Sequence, residues 1–290
     1  MVTQLKRTLP TIATIAAIAL IVVAATRLMG QSSGGQLPRI DGKPNLSGIW
    51  QAMNTAHWDL EAQGGGPAPR QAFEMGAVGA IPPGIGVVVG GRIPYKPEML
   101  AKREENRKVW PTLDPEVRCY LPGIPRATYL PYPFQIFQNQ ERIVFTYQYS
   151  YARRIVNMGA PIEAPIDTWM GWQNGRWDGN TLVVENTAFI DPPVLRPGEP
   201  PIGSWLDRTG NFHSAGLKVT ERFTPIDATH LDYEATLEDP NVYTRPWTIK
   251  MPLYKRMEPD SAILEFKCPE YVEELYWGPY RKQTTTQGTN

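Results

Sequence analysis

From residue 133 onward the chain alternates apolar and polar residues with a period of two, interrupted by short polar turns. "FQIFQ" (134–138) and "IVFTYQYSYARRIV" (143–156) flank the turn-like "NQER" (139–142). "TWMGWQ" (168–173) and "TLVVENTAF" (181–189) flank "NGRWDGN" (174–180), which holds Asn-Gly and Asp-Gly turn pairs. "LKVTERFTPI" (217–226) and "LDYEATLE" (231–238) flank "DATH", and "PWTIKMPLY" (246–254) and "AILEFKC" (262–268) end the series. An earlier segment, "LSGIWQAM" (46–53), reads as a first strand. At least eight strands with short antiparallel connections predict an all-β fold. The expected form is an antiparallel meander closed into a barrel or packed as a sandwich, lipocalin-like in outline.

Two other patterns stand apart. "PEMLAKREENRKVW" (97–110) predicts one short soluble helix, with proline at its start and a dense charged face, packing through Met99, Leu100 and Val109. Residues 1–30 are apolar around a core from Thr8 to Thr26 that carries no charge between Arg7 and Arg27. As a helix those 19 residues span roughly 28 Å, close to the hydrocarbon thickness of a bilayer. Two readings stay open: an uncleaved transmembrane anchor, or a signal peptide cleaved after Val23-Ala24-Ala25. Lys6 and Arg7 hold the N-terminus in the cytoplasm in either case, so the rest is exported to the periplasm. As an anchor it makes a single pass of the inner membrane. Ala13, Ala16 and Ala17 would let another helix approach closely, and Arg27 would reach the outer head groups.

The organisation that follows is an anchor over 1–30, a polar linker over 31–45 ("QSSGGQLPRIDGKPN"), and a β-rich periplasmic domain over 46–290. Within the domain, "MGAVGAIPPGIGVVVGG" (75–91) has no charge and too many glycines and prolines for a helix. So apolar a loop either tucks under the domain or meets a partner or lipid surface.

Composition narrows the functional classes. Lysine plus arginine equals aspartate plus glutamate at 29 each, which gives no reason to expect a nucleic-acid partner. Only two cysteines occur, Cys119 and Cys268, without haem-attachment or zinc spacing. In an oxidising compartment a disulfide is the natural reading, with two separately buried thiols as the alternative. The three histidines, His57, His213 and His230, form no metal-binding pattern, and no phosphate-binding or dinucleotide fingerprint is present, so no cofactor is expected.

The candidate chemistry is sparse. Asp178 precedes Gly179 in a turn, where an aspartate usually caps backbone N–H groups. Glu185 shares a strand face with Val183 and Phe189, while Leu182, Val184, Asn186 and Ala188 share the other. "DRTGNFHSAGLKVTERF" (207–223) brings Asp207, His213, Ser214 and Glu221 close in sequence. Adjacent in an extended chain, His213 and Ser214 point opposite ways, which argues against a nucleophilic triad. Asp178, Glu185, Asp207, His213 and Glu221 remain a conceivable acid/base cluster in a barrel mouth, and a tryptophan-lined carrier is a third reading.

Four stretches together resemble a known group: "DPEVRCYLPGIPRATYLPYPFQIFQ" (114–138), "TWMGWQNGRWDGNTLVVENTAF" (168–189), residues 207–254, and "LEFKCPEYVEELYWG" (264–278). They are similar to a family of exported bacterial proteins of unassigned function, common in acidobacteria and gemmatimonads. With its anchor, the chain also resembles the periplasmic accessory subunits of gemmatimonad double-ring photosynthetic reaction-centre–light-harvesting complexes. That resemblance implies a subunit without pigment or redox duty that braces reaction-centre, cytochrome and antenna subunits. It implies no catalytic residues. The leading expectation is therefore a membrane-anchored binding and bracing subunit, with residues 75–91 against its partner.

Overall fold

The structure, a computed structural model, describes residues 37–67, 80–116, 119–190 and 204–266. The expected anchor, with Ala13, Ala16, Ala17 and Arg27, lies outside these residues, as do Cys268 and residues 75–79. Among the described residues no helix is long and apolar enough to cross a membrane. The fold lies within the unit Pro38–Asn290.

That fold is a closed barrel of nine strands in sequence order. The strands are β3 (Gly48–Ala52), β4 (Phe134–Gln138), β5 (Arg142–Tyr147), β6 (Arg153–Met158), β7 (Trp172–Asp178), β8 (Thr181–Thr187), β9 (Lys218–Pro225), β10 (His230–Glu238) and β11 (Trp247–Lys255). Every neighbouring pair is antiparallel except β6 and β7, which run parallel over Asn157↔Asn174 and Met158↔Gly175. The meander is thus interrupted once, where the connection 159–171 carries the chain back to the same end before β7 begins.

Interior positions follow the two-residue period. Phe134, Ile136, Phe145, Val156, Leu182, Val184, Phe223, Leu231, Tyr233, Ala235 and Ile249 point inward and are buried. Side chains fill the barrel, as expected at a strand number close to eight. Gly175 belongs to this packing, because a Cβ there would sit 2.4 Å from Val156 Cγ1.

The seam between β11 and β3 is short, pairing only Leu253–Lys255 with Trp50–Ala52. The apolar loop extends it. Val87 O accepts from Lys250 N (2.9 Å), Val89 N donates to Thr248 O (2.8 Å), and Val88 is buried beside Ile249. The loop tucks at Val88 and still presents Ile85, 98% exposed, to solvent.

Several expectations need correction. Residues 39–44, placed in the linker, form a hairpin of β1 (Arg39–Ile40) and β2 (Lys43–Pro44). Asp41 and Gly42 both take positive φ (50° and 73°), as the tightest hairpins require. Arg39 and Lys43 fasten this hairpin to Asn180 and Gly179. The stretch 143–156 is two strands, since Ser150 and Tyr151 (φ 52° and 51°) fold the chain over a 3-10 turn, Tyr149–Tyr151. "NGRWD" is strand, not loop, and the β7–β8 turn is Gly179-Asn180 alone. Residues 262–266 form no strand, because β11 already pairs with β3.

Helix α1 (Pro97–Leu113) occurs where expected and packs through Met99, but the rest of its inward face differs. Leu100 and Val109 are exposed, while Asn106 and Trp110 are buried and Met99 and Arg103 partly so. Positions 99, 103, 106 and 110 share one face at helical spacing. That face is a polar seam, and it forms one wall of the site described next.

Candidate functional site

The described residues between β3 and β4 and between β8 and β9 pack together beside the barrel, around two buried polar hubs. Asp207 is the first. Its Oδ1 accepts from Thr209 N (3.0 Å), Thr209 Oγ1 (2.9 Å) and Asn211 N (3.2 Å), and its Oδ2 from Leu60 N (2.9 Å) and Asn211 Nδ2 (2.6 Å). Five donors on one carboxylate bind residue 60 to the turn 207–211. Gly210 (φ 84°) lets that turn lie on α1, since a Cβ would come within 2.6 Å of Asn106 Cβ. Asn106 Nδ2 donates to Gly210 O across the same contact (3.1 Å).

The second hub is a chain of alternating charge. Arg126, on the helical turn α2 (Arg126–Tyr129), holds Asp114 through two bonds of 2.6 and 2.8 Å and reaches Glu116 at 2.9 Å. Glu116 in turn takes two bonds from Arg208 (2.9 and 2.8 Å). Burial would raise Glu116, but Arg208 and Arg126 outweigh it and hold the carboxyl at about 2. Burial and Arg208 push His57 down to about 4, so it is neutral near neutral pH.

Between these hubs and α1 opens a cleft of about 800 Å³. Asp59, Glu61, Arg92, Arg103, Arg107 and Arg208 line it, with Trp58 and Trp110 as aromatic walls. The two indoles meet edge to face at 5.5 Å, and the Arg208 guanidinium lies 4.6 Å from the Trp58 ring centre. Burial, reinforced by the Asp207 carboxylate, raises Asp59 to about 7. A carboxyl that titrates near neutrality in an open cleft is a group able to give or take a proton.

The five carboxyl and imidazole residues singled out in the sequence do not meet in one pocket. Asp178 is exposed at the end of β7, and its Oδ2 accepts from Arg222 (2.8 Å). No turn N–H binds it among the described residues; the guanidinium on the neighbouring face is the stronger donor, and it lowers the Asp178 pKa. Glu185 points outward and pairs with Arg176 (3.0 Å). Glu221 points into the barrel, where it binds Arg154, Tyr233 and Asn186. His213 is buried with Nδ1 2.8 Å from Ser214 O, while Ser214 Oγ bonds to Asp239 (3.0 Å), so no triad forms. Ala188 (φ 57°) ends the alternation of β8, and Phe189 turns inward to meet His213 at 5.6 Å instead of sharing a face with Glu185.

Sequence reasoning missed Asp59, Arg103, Arg107, Glu116 and Arg126. One signal was present: "WDL" (58–60) and "WLD" (205–207) each place an acid within an apolar, tryptophan-bearing stretch, where burial is expected. Among the described residues no group of three or more His, Cys, Asp or Glu is arranged to hold a metal ion. No protein-family model matches the chain, and no curated protein matches it.

Proposed function

We propose that the chain is a membrane-anchored accessory subunit that binds and braces the periplasmic face of an integral membrane complex. The complex its sequence resembles is a photosynthetic reaction-centre–light-harvesting assembly. The observation that carries this reading is an apolar row on the outside of the barrel. Phe137, Val144 and Ile155 stand opposite one another on β4, β5 and β6. Phe137 is 49% exposed and Ile155 48%. Ile162, also exposed, borders the row through Trp172, whose Nε1 donates to Ile162 O (2.9 Å).

Outward-facing strand positions of an isolated exported barrel are normally polar, so a row of this kind marks a surface that is covered in use. The filled interior supports the same reading against the carrier, which needs an open cavity. The apolar run of residues 8–26 supplies the tether, and Ile85 adds a second exposed apolar point.

The test is a full-length Phe137→Ser, Ile155→Ser double variant extracted from the native membrane in mild detergent. Both side chains are half-exposed, so folding is expected to survive. The variant should remain in the membrane fraction but separate from the complex that the unmodified chain accompanies. Undiminished co-purification would count against the row as the contact.

A further inference from the structure

The cleft beside α1 has no part in the bracing reading, and its chemistry points elsewhere. Four arginines, Arg92, Arg103, Arg107 and Arg208, face two carboxyls, Asp59 and Glu61. Arg103 is tied to Glu61 (3.0 Å) and Arg208 to Glu116. Arg92 and Arg107 are exposed and make no ion pair among the described residues. Asp59 Oδ1 accepts from Glu61 N (2.9 Å) and Asn211 Nδ2 (3.5 Å), while Oδ2 makes no hydrogen bond among the described residues. The lining therefore holds fixed positive charge in excess, one carboxyl oxygen without a partner among the described residues, and two indoles beside it.

We propose that this cleft binds a small organic oxyanion, with Arg107 as its main charge contact and Trp58 and Trp110 against its organic body. Arg103 and Arg107 lie one turn apart on α1, so both reach the same bound group. The volume of about 800 Å³ suits a small molecule, not a protein segment. Asp59 adds a pH dependence. Protonated, its free oxygen donates a hydrogen bond to the anion; ionised, it repels the anion. The charged groups facing it are Asp207 from the 207–211 turn, Arg103 from α1 and Glu61 from its own segment. Burial and the two acids keep its proton on until about pH 7, so anion binding weakens as the pH rises through neutrality. This inference stands whether or not the chain braces a membrane complex.

The test uses the full-length protein in a nonionic detergent and benzenesulfonate, whose charge is constant near neutral pH. Quenching of tryptophan fluorescence should saturate at one site. Arg107→Ala should weaken binding about tenfold without changing the melting temperature, as the loss of one charge-assisted bond predicts. Asp59→Asn should still bind and should lose the decline between about pH 6 and about pH 8. Quenching that does not saturate, or equal affinity in Arg107→Ala, would overturn the site. A pH decline that persists in Asp59→Asn would overturn the role of Asp59.

Discussion

Arg154 and Glu221 meet in the middle of the barrel from β6 and β9, strands that are not neighbours, and neither side chain touches solvent. Further contacts hold the pair: Tyr233 donates to Glu221 (2.8 Å), Asn186 bridges both partners, and the Arg154 guanidinium lies 4.2 Å from the centre of the Phe145 ring, while Arg154 Nε has no hydrogen-bond partner among the described residues. A buried ion pair adds little net stability, yet removing one partner strands the other charge. Glu221→Gln should therefore destabilise the protein by about 3–5 kcal/mol in denaturant unfolding. Replacing both residues, Arg154→Met with Glu221→Leu, should cost less than the sum of the single changes. Strict additivity would show that the pair is not coupled.

Asp178 should be dispensable. It is exposed and bonds only to Arg222 among the described residues, and asparagine keeps an acceptor for that donor. Asp178→Asn should leave the melting temperature and any membrane association unchanged. Loss of association in a variant that folds normally would make Asp178 a functional contact.

The alternation of β4, β5, β8, β9, β10 and β11 made most of the barrel legible, because one buried face imposes a two-residue period on the sequence. Three features were not legible. The parallel β6–β7 step depends on where the connection 159–171 lays the chain, which no local pattern encodes. The end of β8 depends on a left-handed Ala188, a conformation that alanine does not advertise. The cleft depends on Arg103 and Asn106 facing inward on a helix whose charges read as a solvated surface. Their partners, Glu61 and Gly210, are remote in sequence, so the pairing exists only once the fold has brought them together.

The raised pKa of Asp59 carries a stability signature. Burial and Asp207 keep a proton on folded Asp59 up to about pH 7, whereas the unfolded chain releases it near the ordinary aspartate value of 3.8. The stability from this group is complete below the unfolded value, falls as pH rises through that window, and levels off above about 7. His57, lowered to about 4, contributes a slope of opposite sign up to its ordinary value of 6.5, but it is common to both proteins and cancels in a comparison. Asp59→Asn should thus gain stability relative to the unmodified chain between about pH 5 and about pH 8. Parallel unfolding at the two pH values checks this, and a constant difference would contradict the raised value.

Cys119 and Cys268 should be joined. Phe266, two residues before Cys268, lines the same shallow hollow as Cys119, Tyr120 and Trp169, and its ring packs on Tyr149 at 4.9 Å. A crosslink closing a loop of about 150 residues would stabilise the fold by about 3–5 kcal/mol. Thiol titration of the denatured, unreduced protein should find no free cysteine, and two titratable thiols would refute the bond.

The bracing role is tested most directly by photocrosslinking in native membranes, with a photoreactive residue in place of Ile155 and, as a control, of Lys250. Ile155 lies in the apolar row, whereas Lys250 is exposed among Asp232 and Glu234 on β10. Position 155 should give one discrete adduct with an integral membrane protein, abolished by Phe137→Ser, and position 250 should give none. No adduct from position 155, together with a mature chain that begins near Thr26 and is free in the periplasm, would contradict the account.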